Sequence, residues 1–405
     1  MLTKQDNEMM TRVGPGTPAG NLLRRYWHAI CPASEITSEK PKKRLKVLGE
    51  ELVLFRDGRG RWALLGDHCP HRAASLYYGT LEPDGIRCAY HGWKFDADGK
   101  CLEQPLEPKE TCFKDEVKHT SYRVEELAGI LFAYMGPEPA PLLPRWDLLV
   151  REDGVKKIVV LPVHKCNWLQ TMENSVDPAH TVYLHAHQFK VRGMKGGEYY
   201  GRRIEKLEFE EVRGPLWAGV LKKRTFAEGT QLDEETGHPL VFPNLLYAPQ
   251  GPDLVIHFRT PIDDQNTYVI WMTFRPSKDG TRVAQPGRPP VEYLPSLKTP
   301  EGEYEMTSFA SQDMMAWETQ GPICDRTKEQ LGYTDRGIML YRRMLKEQIR
   351  VVANGGEPLG LIRDPAKNDI VKFEVSRGQA REEFTQTWFA SYSDQTADEE
   401  QHQAE

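Results

Sequence analysis

The 405-residue sequence has no excess of positive charge: 53 Lys and Arg stand against 59 Asp and Glu, a net charge of -6. Nucleic-acid binding calls for a concentrated basic face and is disfavoured. No stretch approaches the roughly 18–20 apolar residues of a membrane-spanning helix, so no membrane association is expected. The opening Met1 to Asn7 is polar and charged, unlike a secretory leader, and a cytoplasmic protein is the expectation. Cysteine is sparse and odd in number, seven in all: Cys31, Cys69, Cys88, Cys101, Cys112, Cys166 and Cys324. A disulfide framework is not expected in a chain of this size and compartment. No internal repeat is visible. What remains is a globular composition, 39% hydrophobic and 28% charged, with length for one large domain or two to three ordinary ones.

The texture of the chain changes near Leu45. From there to Gly136 short apolar runs alternate with the breaks Asp57-Gly58, Asp84-Gly85 and Asp98-Gly99. This predicts a small antiparallel β-domain over 45–140. The Pro-rich Gly136 to Pro144 reads as a linker. Residues 1–44, with a helix-like run from Asn21 to Trp27, are assigned to a second domain that resumes over 141–392. There the pattern predicts helices from Cys166 to about His185, Glu303 to Thr319 and Gly337 to Asn354. Strands are expected at Ile158–Val160, Leu254–Phe258 and Tyr268–Phe274, and a loop over Val283–Pro300. The polar, acidic 393–405 is expected to be disordered. The fold class is α+β.

Two groups of residues carry chemistry. Cys69-Pro-His71 and Cys88-Ala-Tyr-His91 each offer one thiolate and one imidazole, with sixteen residues between His71 and Cys88. Two Cys and two His also suit structural zinc, but a zinc arm usually pairs Cys with Cys. In a Rieske [2Fe–2S] centre one iron takes two Cys and the other two His, so mixed arms fit. The second group is Asp177-Pro-Ala-His180-Thr-Val-Tyr-Leu-His185. Two His and a carboxylate form the open face of non-haem Fe(II) oxygenases. His180 and His185 are five residues apart, about 140° round an ideal helix, so either local unwinding or a π-bulge must bring them together. Pro178 favours such an irregularity.

Cys69-Pro-His-Arg72 and Cys88-Ala-Tyr-His-Gly-Trp-Lys-Phe95 resemble the signature loops of Rieske non-haem iron oxygenases, and the Asp-x-x-His-x-x-x-x-His run resembles their mononuclear iron motif. The likeness is to the phthalate dioxygenase and aromatic O-demethylase branch. It extends to Thr17-Pro-Ala-Gly20 and to Gly321-Pro-Ile323 with Asp325-Arg-Thr327. It implies a Rieske β-domain beside a helix-grip (START-like) catalytic domain. It further implies cluster ligands Cys69, His71, Cys88 and His91, and iron ligands His180 and His185. Asp177 would be a catalytic bridging carboxylate, linking a neighbouring subunit's Rieske histidine (the position of His91) to an iron-bound histidine, with Asn174 lining the same site. Ser311-Gln-Asp313-Met-Met-Ala-Trp-Glu318 resembles the third-ligand helix, which makes Asp313 the iron carboxylate; Glu318, Asp325 and Asp335 are the alternatives. His187 falls outside the motif.

The implied activity is that of a terminal oxygenase, hydroxylating or dihydroxylating an aromatic carboxylate with O₂. Electrons come from NADH or NADPH through a flavin/iron–sulfur reductase, with or without a ferredoxin. O-demethylation of methoxylated aromatic acids is the alternative. A homotrimer or a stacked hexamer is implied. A pure electron-transfer protein and a zinc-binding interaction protein are the competing classes. A substrate carboxylate calls for a cation; the candidates are Arg192, Arg202, Arg203, Arg213, Lys222, Lys223, Arg224 and Arg259.

Overall fold

Alternation of side chains along a strand decides where the first sheet goes. In Glu50–Arg56, Leu52 and Leu54 enter one core while Val53 and Phe55 enter another. In Trp62–Gly66, Leu64 joins the first core while Ala63 and Leu65 join the second. A strand apolar on both faces must be covered on both faces. The computed structural model describes residues 2–108, 110, 112–193, 201–228, 231–248, 253–285, 287–373 and 375. It covers this sheet with helices on one side and with the metal-loop subdomain on the other.

The sheet has six strands in the order Trp27–Pro32, Ile130–Tyr134, Ser121–Leu127, Trp62–Gly66, Glu50–Arg56, Lys42–Val47, and every pairing is antiparallel. Two of its turns are two-residue loops with both residues at positive φ, Leu48-Gly49 (48° and 80°) and Ala128-Gly129 (50° and 78°). That twist suits tight hairpins. A four-stranded meander, Thr80–Glu82, Gly85–Arg87, Lys94–Phe95 and Cys101–Glu103, carries the second cysteine–histidine loop. The three Asp-Gly breaks all fall in hairpin connections.

The expected start at 45 lies inside the strand Lys42–Val47, and Trp27–Pro32 also joins this sheet by pairing with Ile130–Tyr134. A partner about a hundred residues away leaves no local signal. The helix expected over Asn21–Trp27 is instead α2 (Pro18–Leu23), capped by Thr17 with Pro18 in its first turn, because Trp27 is already extended. Both α1 (Lys4–Thr11) and α2 pack with the second domain, burying Met10, Leu22 and Leu23 against Trp168, Tyr341 and Leu345.

The second domain is built on an eight-stranded sheet. Its order is Ile204–Arg213, Ala218–Glu228, Gln231–Val241, Leu245–Tyr247, Leu254–Asp263, Asn266–Pro276, Gly154–Val160, Val291–Tyr293. Only the last pairing is parallel, and Val291–Tyr293 lies in the stretch expected to be loop. The helix expected from Cys166 to His185 is divided into α3 (Trp168–Ser175), a break at Pro178, and a π-helical segment Thr181–His187. α4 (Phe309–Glu318) begins later than the expected Glu303, at the Ser308/Ser311 capping box. α5 (Arg336–Ala353) buries Tyr341, Met344, Leu345 and Ile349, an apolar stripe at helical spacing, against α2 and the sheet. Among the described residues no helix is long and apolar enough to cross a membrane. The 393–405 tail lies outside the described residues.

Candidate metal centres and the cavity between the domains' helices and sheet

Each cysteine–histidine loop is closed by its own backbone. Cys69 N–H donates to Ala74 O and Ala73 N–H to Cys69 O, both at 2.8 Å; Cys88 N–H donates to Trp93 O at 2.8 Å. Gly92 sits at φ 74°, and a Cβ there would meet the Pro105 ring at 2.8 Å. The two loops bring like with like. The sulfurs of Cys69 and Cys88 interact directly, and the His71 and His91 rings lie 4.5 Å apart. Trp93 stacks on His71 at 4.5 Å and 6°. Burial pushes the Cys69 thiol up to about 11, while the N–H groups of His71 and Arg72, aimed at the sulfur, pull it down. A thiol that coordinates a metal ion is deprotonated by it despite such burial. Pairing sulfur with sulfur and imidazole with imidazole fits a two-iron cluster in which one iron takes the two Cys and the other the two His.

In the second domain the five-residue spacing is resolved by the π-helix. Hydrogen bonding from i to i+5 stacks residues five apart, and the His180 and His185 rings approach to 5.1 Å. α4 brings in Asp313. Its Oδ1 lies 3.5 Å from His185 Nε2 and 3.9 Å from His180 Nε2. One donor atom from each of the three residues lies within 4.8 Å of the others. Burial pushes the Asp313 carboxyl up, but His185, His180 and Arg259 outweigh it and hold it at about 2. His185 Nδ1 is 2.7 Å from Gln312 Oε1, and His180 Nδ1 bonds the main-chain oxygen of Asp177. Both Nε2 atoms therefore face Asp313 with lone pairs available, the arrangement a divalent iron requires.

Asn174 Nδ2 donates to Asp313 Oδ1 at 3.3 Å, and Asn174 is among the residues lining the cavity beside the triad. The Asp177 carboxylate caps the turn, accepting from Ala179 N–H at 2.8 Å and His180 N–H at 3.3 Å, and its Oδ2 is 3.7 Å from His180 Nδ1. The alternatives to Asp313 are engaged elsewhere. Glu318 accepts from Lys298, Tyr304 and Lys165 N–H. Asp325 holds Thr327 and Lys328, and Asp335 caps Gly332. Arg326, adjacent to Asp325, pairs with buried Glu173, which Arg342 also contacts. His187 is exposed.

A cavity of about 100 Å³ opens on the triad, lined also by Lys222, Arg224, His257, Arg259, Leu246 and Phe309. Of the eight candidate cations only three reach it. Arg213, Lys223 and Arg203 are tied to surface carboxylates, Arg202 to Asp233 and Glu235, and Arg192 is exposed. Within the cavity Arg224 is neutralised by Glu235 at 2.8 Å. Lys222 and Arg259, 6% and 2% exposed, have no carboxylate within salt-bridge distance among the described residues. They instead hold the end of α3: Lys222 Nζ donates to Ser175 O, and Arg259 Nη1 to Thr171 O and Ser175 Oγ. Burial drives the Lys222 ammonium well below the usual lysine value; Arg224 and Arg259 add to this and the Asp177 charge opposes it. Sequence reasoning missed Gln312 and His257; neither has a local signal.

Residues 26–121 match the Rieske [2Fe-2S] domain family, and residues 299–404 match the family described as LigXa C-terminal domain like. The chain is 39% identical to the 5,5'-dehydrodivanillate O-demethylase oxygenase subunit of a Sphingobium species over 92% of this chain and 86% of that protein. It is 36% identical to the phenoxybenzoate dioxygenase subunit alpha of Ectopseudomonas oleovorans over 87% of each. Among solved structures, the terminal oxygenase of carbazole 1,9a-dioxygenase from Nocardioides aromaticivorans superposes with a TM-score of 0.61 at 17% identity, covering 85% of this chain and 97% of that one, a likeness of fold.

Proposed function

The chain belongs to the Rieske non-haem iron oxygenases, as the oxygenase subunit of a multicomponent system, and on that premise we propose that it hydroxylates or dihydroxylates an aromatic carboxylate. The observation that carries the substrate class is the pair Lys222 and Arg259, buried in the same cavity as His180, His185 and Asp313 with no carboxylate within salt-bridge distance among the described residues and only the more distant charges of Asp177 and Asp313 opposing them. Burial disfavours the charged form of both groups, most of all Lys222, and an anion that meets them restores it. An incoming carboxylate supplies that anion, and Arg259 and Lys222 each keep donors to spare after bonding α3. Leu246 and Phe309 provide apolar wall for a ring.

Cys69, His71, Cys88 and His91 would hold a cluster that supplies single-electron transfer, and His180, His185 and Asp313 would hold an iron that supplies O₂ chemistry beside the substrate. The chain's own contribution is orientation. Lys222 and Arg259 fix the carboxylate end, so the opposite end of the ring is presented to the triad. Asp177, 3.7 Å from His180, would link that histidine to the position of His91 in a neighbouring copy of a trimer or stacked hexamer. A flavin/iron–sulfur reductase, with or without a ferredoxin, draws the electrons from NADH or NADPH in the cytoplasm.

O-demethylation is the second reading, favoured by the 39% identical demethylase subunit. The test is turnover with a generic reductase, NADH and a panel of aromatic acids, methoxylated and not. Products heavier by one oxygen, or by two oxygens and two hydrogens, support ring oxygenation; formaldehyde with a product lighter by CH₂ supports demethylation. Consumption of NADH and O₂ with no acid transformed sinks both.

A further inference from the structure

We propose that Gln312 is the positioning residue that decides which ring nitrogen of His185 faces the metal, an inference that rests on the iron site read above. The Gln312 side chain is fully buried, 0% exposed, and held at both ends of its amide. Its Nε2 donates to the main-chain oxygen of Met306 at 3.0 Å, and its Oε1 lies 2.7 Å from His185 Nδ1. Rotating the amide by half a turn would lose the first bond and set an oxygen against the Met306 carbonyl. Met306 therefore fixes Oε1 toward His185. An amide oxygen only accepts, so the hydrogen must sit on Nδ1. A neutral imidazole protonated at Nδ1 has its lone pair on Nε2, the atom 3.5 Å from Asp313.

The two histidines are thus held by different means. His180 is oriented by a main-chain oxygen, that of Asp177, which no side-chain substitution removes. His185 depends on one side chain. That side chain is the neighbour of Asp313 on α4, so a single turn of helix delivers both the carboxylate and the acceptor that orients the second histidine. A partner of this kind is worth about 10–100-fold in metal affinity.

The experiment uses the full chain stripped of mononuclear iron, titrated with Fe(II) against a chromogenic ferrous chelator. The electron paramagnetic resonance of the nitric oxide adduct is recorded alongside, and the visible cluster spectrum serves as a folding control. Gln312→Met keeps length and bulk but removes the acceptor. It is expected to weaken Fe(II) binding tenfold or more and to change the adduct signal. Gln312→Glu, neutral when its acid hydrogen bonds Met306 O, is expected to bind within about threefold of the parent. Fe(II) affinity within twofold and a superimposable signal in Gln312→Met overturn the proposal. If Gln312→Met loses its cluster spectrum, Gln312→Glu decides, since a tenfold loss in that folded variant overturns it equally. His185→Ala separates the two readings: retention of Fe(II) there defeats the iron site itself, whereas its loss there with no loss in Gln312→Met defeats only the positioning role.

Discussion

At the scale of single residues, charge and partner decide function. Lys222 is buried beside Arg224 and Arg259 and bonds only a carbonyl, Ser175 O, among the described residues. Replacing it with Met keeps the stem and removes the charge-assisted bond to a substrate carboxylate. Such bonds are worth about 1.5–3 kcal/mol, roughly a ten- to 150-fold change in affinity. Lys222→Met is expected to raise KM for the aromatic acid by that factor with kcat nearly unchanged, and to leave an uncharged analogue unaffected; steady-state kinetics on the acid and its alcohol check this. Equal losses on both would place Lys222 in scaffolding instead.

At the scale of elements, α4 carries the most chemistry for its length. Gln312 and Asp313 lie within its first turn and a half, next to the Ser308 cap, which accepts from Ser311 N–H at 3.1 Å. Loss of such a cap costs about 1 kcal/mol. Ser308→Ala is expected to lower the thermal midpoint slightly and the Fe(II) affinity measurably, because fraying starts at the ligand turn. A calorimetric scan with iron quantitation tests it; a lowered midpoint with unchanged iron content contradicts the link. The π-helix is the other decisive element. Five-residue spacing cannot place two histidines on one face of an α-helix, so the need for an irregularity was readable from His180 and His185 themselves. Pro178 and the Asp177 cap supply the break before it.

At the scale of the molecule, the cores interlock. One core runs from α1 and α2 through the first sheet to α3 and α5, so the two domains share their packing. Two histidines in this frame, His28 and His164, are buried and pushed down to about 4 by that burial. The unfolded chain protonates them near 6.5. Between these values the unfolded state binds protons that the folded state refuses, so stability is full above about 6.5 and falls as pH drops toward 4. Thermal midpoints from pH 8 to 5 should decline, and His28→Gln should flatten part of that slope; an unchanged slope removes His28 from the account. Assembly belongs to this scale too. Sedimentation should give three or six times the chain mass, and a monomer that turns over substrate would refute electron transfer between copies.

How much was legible follows from range. The two cysteine–histidine loops, the His180–His185 pair and the Asp313 turn are each contained in a dozen residues or fewer, and the structure brings donor atoms of His180, His185 and Asp313 within 4.8 Å of one another. The Asp-Gly hairpins did the same, since turn geometry depends on adjacent dihedrals. What tertiary structure alone decided are contacts between distant segments. Trp27–Pro32 finds its strand partner at Ile130–Tyr134. Gln312 meets His185 across 127 positions. Only Lys222 and Arg259, of eight candidate cations, are buried in the cavity with no carboxylate within salt-bridge distance among the described residues. Composition assigns a cation its charge, but the fold decides whether a carboxylate stands beside it, and an ion pair leaves no periodicity to read.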